Sequence, residues 1–181
     1  MDTFPFYIFL AVHLASLIVG MGAVVVIDVF GFLWLFKKIK TTFIIRVAHI
    51  TQRLIWIGWA GLVLSGIGLI ILKGYIDNLT MIKLYFVALI GANGIFLHTI
   101  KKALENLSDR TAMPSWLMFR IGFATILSQI GWWSAIAIGF LHRHWRHTID
   151  WPDAPGMYML GMTFVILCIS LAGTLLFPRK R

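Results

Sequence analysis

Charge is scarce in this chain. Asp, Glu, Lys and Arg make up 13% of its 181 residues, 60% of the residues are hydrophobic, and the mean hydropathy is +0.88. A soluble domain carries charge on about a quarter of its positions. This composition therefore excludes a water-soluble globule, because there is too little polar side chain to cover one, and lipid must be the solvent for most of the surface. Cysteine is scarcer still: Cys168 stands alone inside an apolar run, which excludes a disulfide framework and a cysteine-based metal site. The N-terminal MDTFPFYIFL has no Lys or Arg ahead of an apolar run longer than a signal peptide's core, so it is expected to stay in place as a membrane helix. No internal repeat is convincing, and no segment reads as a soluble domain.

What the chain does have is five apolar runs, at about 5–36, 43–72, 80–100, 117–141 and 157–177, each long enough to cross a bilayer core that needs ~20 apolar residues. The expected fold is all-α, a single membrane domain over 1–181 with five transmembrane helices. The first two runs exceed the bilayer core and must tilt or project beyond it. The net charge of +9 does not point to nucleic acid, because the cations flank apolar runs in short clusters and form no continuous stripe. They act as topology determinants. The connections at 37–53 and 101–120 and the C-terminus together hold twelve Lys and Arg, whereas the opposite side holds four, Lys73, Lys83, Arg143 and Arg146. The positive-inside rule then puts the N-terminus outside and the C-terminus in the cytoplasm.

Half of the six histidines crowd into the segment GFLHRHWRH at 139–147. With the expected topology, His13 lies in the outer half of helix 1, His49 at the cytoplasmic entry of helix 2, His98 at the cytoplasmic exit of helix 3 and His142 at the outer end of helix 4. In an up-down bundle, helices 2 and 3 are neighbours, as are helices 1 and 4, so His49 can approach His98 and His13 can approach His142. Two imidazoles converging across a bundle are the ligand set that holds a haem iron from both faces. Arg46, His49 and Arg53 fall at i, i+3 and i+7 on one helical face, a ligand flanked by cations whose planar forks suit haem propionates. Lys101 and Lys102 could serve the same edge near His98. Gly20, Gly91, Gly94 and Gly139 fall on or near the ligand faces, where they would leave room for a porphyrin, although small residues also simply let membrane helices pack closely. Asp28, the one acid deep within a span, needs a partner, and Arg53 is the candidate. Lys83, Asn93 and Gln129 are expected to hydrogen-bond between helices. A histidine at a membrane edge is more commonly an interfacial residue than a ligand, and His144 and His147 are expected to face water.

Three stretches, FYIFLAVHLASLIVGMGA, RVAHITQRLIWIGWAGLVLSG and LYFVALIGANGIFLHTIKK, resemble a family of small integral membrane proteins that bind haem b in a four-helix core. It includes the HemJ and CopD-like groups and the membrane-anchoring cytochrome b subunits of respiratory oxidoreductases. The resemblance covers about the first hundred residues. It implies axial ligands at His13, His49 and His98, propionate partners at Arg46 and Arg53, and a place in a bacterial cytoplasmic membrane. The fifth span and GFLHRHWRH have no counterpart in it.

The expected function is that of a b-type cytochrome or cytochrome subunit, with one or two haem b groups among His13, His49, His98 and His142. It would pass electrons to or from a quinone or protein partner, as the electron-transfer component of an oxidoreductase, within a larger complex or a homo-oligomer. Two other readings stand beside it. His142, His144 and His147 could form an outward-facing site for copper or zinc, or the chain could be a structural subunit without cofactor. A porphyrinogen-oxidising role would need a cavity for a second tetrapyrrole, which sequence does not reveal.

Overall fold

The computed structural model describes residues 4–105, 113–144 and 152–178, without the side chains at 102, 105 and 142–144. Among the described residues every regular element is a helix: α1 (Phe4–Leu35), α2 (Thr41–Lys73), α3 (Asn78–Glu105), α4 (Ser115–His144) and α5 (Pro155–Leu176). All five contain a stretch long and apolar enough to cross a membrane. They match the five apolar runs, and α3 and α4 continue a few residues past the apolar stretch at each end. At its start α3 gains two residues because Asp77 caps it, its Oδ1 accepting from the Thr80 backbone N–H at 2.8 Å. The chain divides into two compact units, one built on α1 and α2 and the other on α3, α4 and α5.

The first unit is an antiparallel helical hairpin. Its turn is closed by the Phe30 and Phe43 rings, 5.6 Å apart, and by Trp34 Nε1 donating to Thr41 Oγ1 at 3.2 Å. Toward the far end of the hairpin, Phe9 lies against Gly68 and Gly20 against Gly58. On α2 the buried positions Ile44, Thr51, Gly58 and Ser65 recur every seven residues, with Leu62 and Gly68 beside them. A seven-residue repeat of contact positions is the mark of left-handed helix pairing, and small residues on it let the backbones approach, which dispersion in lipid rewards. A Cβ at position 58 would lie 2.6 Å from both the Cα and the N of Gly20, so here glycine is a requirement of close approach. The glycine-for-packing reading therefore accounts for Gly20.

α1 ends in a Schellman turn. The Lys38 N–H donates to Leu33 O and the Lys37 N–H to Trp34 O, both at 2.8 Å, with Lys37 left-handed at φ 57°. That position normally takes glycine, since an L side chain there pays for crowding of its Cβ. Lys37→Gly is expected to raise stability by about 1 kcal/mol, measured as a shift in the denaturation midpoint of the purified protein in micelles.

In the second unit α3 buries Leu79, Ile82, Phe86, Asn93 and Ile100, positions on one three-four spaced stripe, and its core packs Leu79, Ile82 and Phe86 against Ala135 and Ile138 of α4. Met159 and Met162 of α5 close over this cluster. α3 and α5 run parallel and are tied by Tyr85 Oη and Thr163 Oγ1 at 2.9 Å. α4 runs against both, with Phe119 seated on Gly173 and stacked on Phe177 at 5.6 Å.

Candidate functional site

His13 is carried on the α1 face that meets α2, and there it is half-buried. Its Nδ1 lies 2.9 Å from Ser65 Oγ. Ser65 is almost wholly buried, at 2% exposure, and its hydroxyl lies 2.5 Å from the Gly61 carbonyl. Two oxygens so close require a proton between them, and serine has only one. The hydroxyl therefore donates to Gly61 O and can only accept from the ring. In the neutral imidazole this puts the proton on Nδ1 and leaves the lone pair on Nε2. Gly66 borders the ring, a Cβ there falling 3.6 Å from His13 Cε1. The result is an imidazole inside the span with its tautomer and ring plane fixed by a hydrogen-bonded neighbour, the arrangement that orients metal-binding histidines. Ser65 was not singled out from the sequence. The signal that finds it is the seven-residue row of small residues, in which it follows Gly58.

Arg46, His49 and Arg53 share one face of α2, as their spacing requires, and all three are exposed. They lie opposite the row formed by Thr51, Gly58 and Ser65, so they turn away from α1. This corrects the expected pairing of Asp28 with Arg53. Between the contacts Phe30–Phe43 and Gly20–Gly58, the hairpin register sets Asp28 level with the turn Arg46–His49 and not with Arg53. Asp28 is half-buried and has partners of its own.

His98 is exposed on α3. His49 belongs to the first unit and His98 to the second, as His13 and His142 do respectively. The side chains of His142 and His144, and all of His147, lie outside the described residues, as does the side chain of Lys102. Among the described residues no three His, Cys, Asp or Glu side chains converge as a metal site, and Cys168 is exposed.

Of the intramembrane polar residues, Asn93 behaves as expected, its Nδ2 donating to Ala124 O across to α4 at 2.9 Å. Its Oδ1, and the Nε1 of the fully buried Trp132, are without a hydrogen-bond partner among the described residues. Gln129 accepts from Trp133 Nε1 one turn further along its own helix, at 2.8 Å. Lys83 reaches across to Gly139, where a Cβ would sit 3.5 Å from its Nζ. A cleft of about 640 Å³ opens between α3, α4 and α5, walled by Phe86, Phe123, Ile130, Met162 and Ile166. Its lining offers almost nothing polar with which to orient a ligand.

No family model, curated protein or solved structure matches this chain.

Proposed function

We propose that this protein is an integral membrane b-type cytochrome, an electron-transfer component in which imidazoles from the spans bind one or two haem b groups. The observation that supports it most is the chain of hydrogen bonds from His13 through Ser65 to Gly61. A neutral imidazole with its lone pair on Nε2 is what ferrous and ferric haem iron accept as an axial ligand, so the donor chemistry fits. When bound, haem supplies reversible one-electron transfer at iron.

The chain's own residues supply the rest. Ser65 holds the His13 ring against rotation and keeps the proton on Nδ1. His49, His98 and His142 are the other candidate ligands. Arg46 and Arg53 flank His49 and offer guanidinium forks to the propionate carboxylates. The apolar faces of the helices exclude water, which favours transfer of an electron without an accompanying change in solvation. Electrons would pass to or from a quinone or a protein partner in a bacterial cytoplasmic membrane, the N-terminus lying outside.

The test is chemical. The full chain, purified in detergent from haem-replete cells, is expected to carry one or two haems, extractable without covalent cleavage, and to show a Soret band with a sharp α-band on reduction. Protein of normal yield and helix content that carries no haem, even after reconstitution, would sink the proposal.

A further inference from the structure

The turn between α1 and α2 and the first turns of α2 carry Lys37, Lys38, Lys40, Arg46 and Arg53, and no acid occurs between Asp28 and Asp77. This run of cations with no acid close by in sequence favours an anionic partner. Part of it is concave. A pocket of about 360 Å³ is lined by Ile39, Lys40, Thr42, Phe43 and Arg46, which brings an ammonium, a guanidinium and a hydroxyl to one hollow with two apolar side chains on its wall. Lys40 and Arg46 are both exposed.

The position along the membrane normal adds a second argument. α2 has 33 residues, and at ~1.5 Å per residue it is about 50 Å long, some 20 Å more than the hydrocarbon core. Its first turns therefore stand at headgroup level. From the pocket, Phe43, Ile50 and Ile57 continue along α2 at seven-residue intervals, all exposed. They form an apolar ridge that starts beside the cations and runs toward the bilayer centre. Lys37, at the left-handed position of the same turn, adds one more cation there.

We propose that this pocket is a binding site for an anionic phospholipid. The phosphate sits between Lys40 Nζ and the Arg46 guanidinium with the Thr42 hydroxyl as a further donor, and an acyl chain lies along Phe43, Ile50 and Ile57. Free phosphate shares the headgroup chemistry but has nothing to place on the ridge. The site shares Arg46 with the proposed propionate contacts, and reading lipid uptake by mass keeps the two readings apart, since bound lipid and bound haem differ in mass.

The experiment is native mass spectrometry of the full chain in detergent, titrated with phosphatidylglycerol, with phosphatidylcholine of the same acyl chains, and with inorganic phosphate. The wild type is expected to take up one phosphatidylglycerol at least tenfold more tightly than phosphatidylcholine. Lys40→Gln with Arg46→Gln weakens it about 30-fold, at roughly fivefold per cation removed. The charge-preserving pair Lys40→Arg with Arg46→Lys stays within a few-fold of wild type, and Lys73→Gln at the other end of α2 is unchanged. The proposal is overturned if the two lipids bind alike, if the double glutamine variant binds phosphatidylglycerol as the wild type does, or if millimolar inorganic phosphate displaces the lipid.

Discussion

Gly58→Leu is expected to separate α1 from α2. The Cβ that any residue brings to position 58 would meet the Gly20 Cα and N at 2.6 Å and the Ser16 carbonyl oxygen at 2.8 Å. These are backbone atoms of the facing helix, with no rotamer to turn aside. The helices must move apart, and every contact along the seam lengthens with them, the hydrogen bond from His13 to Ser65 included. Alanine at this site would gain about 1 kcal/mol of helix propensity and still lose stability, because overpacking costs typically ~1–3 kcal/mol. Leucine, which adds three further carbons, is expected to exceed that range. Gly22→Ala is the matched control: a Cβ there meets nothing within 4 Å, so that variant should be neutral or slightly more stable. Unfolding in mixed micelles, followed by far-ultraviolet circular dichroism, compares the three. Equal midpoints for Gly58→Leu and Gly22→Ala would mean the hairpin does not have this register.

His13→Ala is the second large effect. It removes an imidazole held by a hydrogen-bonded neighbour in the same unit, and it leaves Ser65 with its donor bond to Gly61 intact, so the fold loses little. The expected stability change is near 1 kcal/mol, that of a single hydrogen bond between membrane helices. If His13 holds haem as proposed, the expected change in haem is far larger: at least one haem per chain would be lost, since α1 has no second histidine. Ser65→Ala separates positioning from ligation. It keeps the ligand but frees the ring, so haem should remain bound with a shifted reduction potential, because the hydrogen bond to Nδ1 that raises the ligand's basicity is gone. Haem content equal to wild type in His13→Ala would remove this residue from the ligand set.

The helices were legible because apolar length is a one-dimensional property, counted along the chain without knowing any contact. Their ends were less so: Asp77 extends α3 by capping it, and the polar end of α4 continues beyond its apolar run. The seam between α1 and α2 is also written in the sequence, in the seven-residue recurrence of Thr51, Gly58 and Ser65, a pattern that Gly20 read by itself does not reveal. Depth could be inferred for the histidines and direction could not. Spacing put Arg46, His49 and Arg53 on one face, and the structure agrees. Nothing in that spacing tells that the face turns away from α1, so sequence alone leaves Arg53 as a partner for Asp28. His13 is legible as a possible ligand, yet its hydrogen-bond partner Ser65 lies 52 residues further on, at a separation that no local pattern encodes.

In the proposed cytochrome the Nε2 lone pair of His13 would bind iron. Electron paramagnetic resonance of the oxidised, purified protein measures this directly. Low-spin ferric signals of haem held by two imidazoles are predicted for the wild type, with one of them replaced by a high-spin signal or lost in His13→Ala. An absence of any ferric haem signal in haem-replete wild-type protein, or a low-spin spectrum unaltered by His13→Ala, would contradict it.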